Sequence, residues 1–139
     1  MSANLNVEDR PVRISSSPDP DATWPGGPHG PPLRLVLAWG AHERQVTESR
    51  PLLTVGRGEF SGIVIRNEKI SRLHAMIKFS DLGFLLTDQS SNGTYVVDAA
   101  GATHLVRNDT RLLTGTGAIS FGVDPATGQA QFIRYAASP

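Results

Sequence analysis

His74-Ala75-Met76-Ile77-Lys78-Phe79-Ser80-Asp81-Leu82-Gly83-Phe84-Leu85-Leu86-Thr87 is the stretch on which the fold turns. In its first half Ala75, Ile77 and Phe79 fall on one side of an extended chain, and His74, Met76 and Lys78 on the other. That is the period-two alternation of a strand with one buried face. Asp81-Leu82-Gly83 is a turn signal, and the chain is extended again from Phe84 to Thr87, so the unit reads as a hairpin.

The same reading extends outward in both directions. Strands are expected at Leu33 to Ala38, Glu43 to Thr47, Leu52 to Val55, Ile63 to Ile65, His74 to Phe79 and Phe84 to Thr87. Further ones are expected at Thr94 to Val97, Thr103 to Val106, Arg111 to Leu113, Ala118 to Phe121 and Gln131 to Tyr135. No window sustains a helical stripe. Eleven short strands in one domain predict an all-β, two-sheet sandwich with loops gathered at its ends. Residues 1–32 hold seven of the ten prolines, with Ser15-Ser16-Ser17 and Trp24-Pro25-Gly26-Gly27-Pro28, and read as a disordered tail or linker ahead of a domain over 33–139.

Composition narrows the function. Thirteen basic residues balance thirteen acidic ones, and the tail holds only two of the former and four of the latter, so the domain lacks the field that draws proteins to nucleic acid. There is no cysteine, hence no disulfide, thiolate nucleophile or Cys-based zinc site. No apolar run is long enough for a membrane span or signal core, which leads to the expectation of a cytoplasmic protein without a membrane partner. No cofactor is expected. Gly56-x-Gly58-x-x-x-Gly62 misses the dinucleotide spacing, and the segment after it reads as strand, without the helix N-terminus such a site needs.

Three loops are too polar and too specific to be mere connectors. They carry Gly56-Arg57, then Ser71-Arg72-Leu73-His74, then Ser90-Ser91-Asn92-Gly93-Thr94. In this ordered set the chain resembles the forkhead-associated (FHA) family, whose signature is a Gly-Arg pair, a Ser-x-x-His and an Asn-Gly in successive loops. The resemblance implies an FHA/SMAD-like sandwich without catalytic activity that binds phosphothreonine in a partner protein or peptide as a signalling adaptor. FHA domains occur inside bacterial and eukaryotic signalling proteins, and this one is expected to be part of a larger bacterial one. A phosphoryl group carries roughly −1.5 to −2 charges and three acceptor oxygens, so it calls for a guanidinium fork, hydroxyls and free amides converging on one point.

Carried over residue by residue, the resemblance implies that Arg57 is the main phosphate ligand. Ser71 would be a second, through its hydroxyl and its amide, and Ser91 would supply a further hydroxyl where the family more often has Thr. Arg72 would contact the phosphothreonine itself, and Asn92 would bond the main chain of the peptide. Gly56 would allow a turn into its loop, Gly93 would supply a positive φ or a close approach, and His74 would brace the loops from within. Lys69, two residues before Ser71, could read an acidic side chain three positions after the phosphothreonine, partly offset by Glu68, and Glu59 departs from the pattern close to the proposed phosphate.

Each residue alone also has a plain structural explanation, a solvated arginine or a turn-capping serine. The Ser71/His74 pair as a hydrolase would need a base in line with the hydroxyl and a third orienting group. The competing reading is a phosphate-independent interaction domain on the same sandwich. Thr23, the only threonine of the tail, would give self-association if a kinase modified it.

Overall fold

The computed structural model describes residues 33–138. The proposed tail, with Thr23, lies outside the described residues, as does Pro139. Eleven strands form: β1 (Arg34–Trp39), β2 (His42–Thr47), β3 (Leu52–Gly56), β4 (Ile63–Val64), β5 (Ala75–Ser80) and β6 (Gly83–Asp88). They continue with β7 (Thr94–Val97), β8 (Thr103–Val106), β9 (Thr110–Leu113), β10 (Thr116–Phe121) and β11 (Phe132–Ser138). One short 3-10 turn, Pro125–Thr127, is started by the Asp124 side chain and stopped by Gly128. No helix among the described residues is long and apolar enough to cross a membrane.

The expected two-sheet, all-β sandwich is what forms. A six-stranded sheet runs β2-β1-β11-β10-β7-β8 and a five-stranded one β4-β3-β5-β6-β9. Alternation supplies the core: Leu35 and Leu37, Ala75 and Ile77, Phe84 and Leu86, and Ile133 and Tyr135 all point between the sheets and are buried. Burying a side chain of Leu, Ile or Phe size stabilises by roughly 1.5–3 kcal/mol, so these paired faces hold the layers together. Phe79 and Phe84 sit opposite each other in the β5–β6 hairpin with ring centroids 5.6 Å apart.

Two local expectations need correction. The fourth strand stops at Val64: the Ile65 amide makes the last ladder bond, to the Gly56 carbonyl (2.9 Å), and beyond it Arg57 turns its own amide to Ser71 O, so no partner backbone remains. His74 does not open its strand. It precedes β5, and although it shares parity with exposed Lys78 it is fully buried.

All pairings are antiparallel except β3 with the two-residue β4. Following them from strand to strand sorts the loops by end. Residues 57–62, 65–74, 89–93, 107–109 and 122–131 gather at one pole. Residues 48–51, 81–82, 98–102 and 114–115 gather at the other, beside Leu33, whose amide bonds the Ser138 carbonyl at 2.9 Å. All three polar loops of the sequence therefore share one pole.

Candidate functional site

Beyond the end of β3 the chain runs alongside residues 71–74. His74 N donates to Val55 O (2.8 Å), Arg57 N to Ser71 O (2.9 Å) and Gly58 N to Arg72 O (3.0 Å). This contact, rather than a turn, is what Gly56 permits: a Cβ there would stand 2.0 Å from the Arg72 carbonyl oxygen. The same approach aims Arg57. Its Nε donates to Ile70 O at 3.0 Å, which fixes the guanidinium by its inner edge and leaves the two terminal nitrogens without a partner among the described residues.

Ser71 and Ser91 meet directly, since Ser91 N donates to Ser71 Oγ at 3.2 Å. The Ser91 hydroxyl has no partner among the described residues, and Ser91 is exposed. The expectation that Ser71 offers its amide outward is corrected. That amide points inward and donates to His74 Nδ1 at 3.1 Å.

His74 is the bolt between the sheets. Because Nδ1 accepts from Ser71, the ring proton must sit on Nε2, which donates to Gly93 O at 2.8 Å. Gly93 O also accepts from Gly122 N at 2.9 Å, and the His74 and Phe121 rings stand T-shaped with centroids 5.7 Å apart. One side chain thus ties the Ser71 loop of the smaller sheet to the starts and ends of β7 and β10 in the larger. Burial holds its pKa below the ordinary 6.5, against the pull of the Gly93 bond and of Asp88, whose carboxylate lies 3.9 Å away. Protonation would put two N–H groups face to face at Nδ1. Gly93 has φ +86, and a Cβ on it would meet Leu105 at 2.8 Å, so the positive φ and the close approach expected of it are both present.

Sequence reasoning missed a second buried bolt, Asp88. Its carboxylate accepts from Ser90 Oγ (2.6 Å), Thr94 Oγ1 (2.7 Å), Asn108 N (2.9 Å) and Ser90 N (3.2 Å). Burial opposes its ionisation, but these four donors outweigh burial and lower its pKa below 3.8. Ser90 Oγ in turn accepts from Gly93 N at 2.7 Å. The available signal was Asp88-Gln89-Ser90, a carboxylate two residues before a hydroxyl at a strand end, the pattern of an Asx-turn.

Asn92 donates through Nδ2 to Lys69 O at 2.8 Å, joining two of the loops, while its Oδ1 has no partner among the described residues. Arg57, Lys69, Arg72 and Ser91 are exposed and Ser71 is half-buried, and no described carboxylate pairs with any of these cations. The pole therefore presents unneutralised guanidinium and ammonium groups beside two hydroxyls, on loops cross-linked from beneath. Such an arrangement suits a multiply charged oxyanion. Ser71 Oγ is occupied by the Ser91 amide, and the basic nitrogen of His74 by the Ser71 amide, so the pair lacks the hydroxyl-to-imidazole bond of a nucleophile and its base.

A family model described as the FHA domain matches residues 53–122. That span reaches from β3 to Gly122 and includes every site residue above. No curated protein sequence matches the chain. Among solved structures, the chain is similar to FHA-1 of Mycobacterium tuberculosis Rv1747, with 18% identity over 78% of this chain and 99% of that one and a TM-score of 0.60. It is similar to the N-terminal FHA domain of S. cerevisiae Rad53p, solved with a phosphothreonine peptide, with 18% identity over 76% and 94% of the two chains and a TM-score of 0.61. Mycobacterium tuberculosis EmbR, in complex with a low affinity phosphopeptide, shares 20% identity over 77% of this chain and 25% of its own, with a TM-score of 0.55. At these identities the likeness establishes the fold.

Proposed function

We propose that this chain, which belongs to the FHA domain family, is a non-catalytic module that binds phosphothreonine in a partner protein and serves as a signalling adaptor. The observation that carries the reading is the seat of Arg57. Its guanidinium is fixed by the Ile70 carbonyl, with both outer nitrogens unpartnered among the described residues, beside the hydrogen-bonded pair Ser71 and Ser91. A phosphate dianion there would take a bidentate contact from Arg57 and hydroxyl bonds from Ser71 and Ser91. Arg72 would lie against the phosphothreonine, and Asn92 Oδ1 would accept from the peptide main chain. Because His74 and Asp88 hold the loops before any ligand arrives, little ordering entropy opposes binding. Lys69 is proposed to favour an acidic residue three positions after the phosphothreonine. Residence in the cytoplasm and in a larger bacterial signalling protein belong to the same proposal, as does self-association through phosphorylated Thr23. For the last, concentration-dependent assembly after phosphorylation is the measurement, and a phosphorylated monomer would overturn it.

Calorimetry with a phosphothreonine peptide and its dephosphorylated twin tests the central claim. The first should bind and the second should not. Arg57→Ala should stay folded and weaken binding by about 2–5 kcal/mol, enough to carry a micromolar complex toward the millimolar range. Unchanged affinity in the folded variant would remove Arg57 from the site.

One observation favours a second reading, phosphate-independent docking. The outer face of the larger sheet carries an open groove lined by Val36, Ala38, Val97, Ala118, Phe132 and Ala136. Equal binding of a partner with and without its phosphate, lost on substitution in this groove, would establish it.

A further inference from the structure

Arg107 belongs to no motif of the sequence, and the loop that carries it, between β8 and β9, is separate in sequence from the three loops with the motif residues. Yet its Nη2 donates to the carbonyl oxygen of Ser91 at 2.9 Å. The Ser91 amide faces Ser71, and its carbonyl faces Arg107, so the guanidinium borders the hydroxyl pair from the far side. Lys69 is held on the near side, through the bond from Asn92 to its carbonyl. Residues 69 and 107 flank the 89–93 loop.

The seat of Arg107 is rigid. Asn108 adopts a left-handed φ of 50, uncommon outside glycine, and its amide is gripped by the buried Asp88 carboxylate at 2.9 Å, while Asp88 N donates to Asp109 O at 2.9 Å. The carboxylate that bolts the phosphate loops thus also fixes this turn. Arg107 is exposed, and among the described residues it makes no ion pair and only its Nη2 is engaged, so the Nε and Nη1 donors are open to a ligand. A pre-positioned, unneutralised guanidinium matches a planar carboxylate.

We infer that Arg107 is a specificity-determining residue: it reads a carboxylate side chain of the bound phosphopeptide at a position separate from the one that Lys69 faces. The inference rests on the phosphopeptide reading above and adds a second acidic selection to it. The module would then prefer phosphothreonine accompanied by two acidic residues.

The test is an oriented phosphothreonine peptide library, scanned at every flanking position, with the wild-type chain and with Arg107→Gln, Arg107→Lys and Arg107→Glu. Besides the position three after the phosphothreonine, wild type should enrich Asp and Glu at one further position by about two- to fivefold, the size of an exposed pair, and the enrichment should fade in high salt. Arg107→Lys should keep the charge attraction but reduce the enrichment, Arg107→Gln should lose it, and Arg107→Glu should invert it toward Lys and Arg. Lys69→Glu should leave that position alone. An unchanged profile in Arg107→Glu overturns the inference while leaving the phosphate site intact. Equal weakening of all peptides by Arg107→Gln also overturns it, because Arg107 would then only hold Ser91 in place or touch the phosphate. Failure of the wild-type chain to distinguish phosphorylated from plain libraries would overturn the underlying reading as well.

Discussion

Asp88 and Asp98 stand at opposite poles of the sandwich, and each gathers donors at the end of a strand. Each follows or ends a strand, accepts two backbone amides, and lies near a histidine. Asp98 takes Ala100 N and Ala102 N at 3.0 Å each and His104 Nε2 at 2.8 Å. Asp88 takes Ser90 N and Asn108 N, with His74 3.9 Å away. Asp88 takes two hydroxyls as well, Ser90 Oγ and Thr94 Oγ1, but the decisive difference is water. The Asp88 and His74 side chains are 0% exposed, and those of Asp98 and His104 33% exposed. At the outer turn a lost bond is replaced by solvent, whereas at the site pole a lost acceptor leaves buried donors with nothing. The same local chemistry makes a turn at one end and a rigid platform at the other.

The strongest way to break that contrast is to delete both carboxylates in turn. Asp88→Ala should cost about 3–5 kcal/mol, since several donors lose their acceptor at roughly 1–3 kcal/mol each. At that size the melting temperature of a domain of about 100 residues falls by more than about 10 °C. Asp98→Ala should melt close to the parent. Equal shifts in thermal unfolding would mean that burial is not what separates the two.

Acid should separate the poles next. The pKa of His74 is lowered from 6.5 by burial, so below 6.5 the unfolded chain binds a proton that the folded one resists, and stability falls with pH. The pKa of Asp88 is also lowered, so its contribution persists above 3.8 and is lost as pH falls below that value. Urea unfolding of the free domain should therefore show a first loss beginning near pH 6.5 and a second below about pH 4. His74→Gln should be less stable at neutral pH but should abolish the first loss. If the first loss persists in that variant, His74 is not its source. Peptide binding should weaken over the same upper range, reinforced by the second phosphate pKa of about 6.

At the exposed rim the effects shrink, as they should where water competes. Matched phosphothreonine and phosphoserine peptides should differ by about 0.8 kcal/mol if only the burial of one methyl group distinguishes them. Equal affinities at neutral pH would show that no pocket receives the methyl. Lys69→Glu should change the selection three positions after the phosphothreonine by about 0.2–1 kcal/mol, in a salt-dependent manner. An acidic preference that survives this charge reversal would transfer the role to another residue.

The strand inventory was legible because alternation is a local property: Cβ atoms change sides at every residue, so the apolar pattern of β5 marks its own buried face, Ala75 and Ile77. The glycine, arginine, serine and asparagine of the three loops were legible for the same reason, as short spacings between residue types with narrow uses. What shields a residue is not local. His74 has the parity of exposed Lys78 and is buried because the 66–73 and 89–93 loops and Phe121 close over it from two sheets. Asp88 gathers donors from residues 90, 94 and 108, and Arg107 reaches Ser91 across 16 positions. The sequence thus determined which segments extend and which loops carry charge and hydroxyls. Only the pairing of the strands decided which loops share a pole, which polar groups lose water, and so which of two similar aspartates became the foundation of the site.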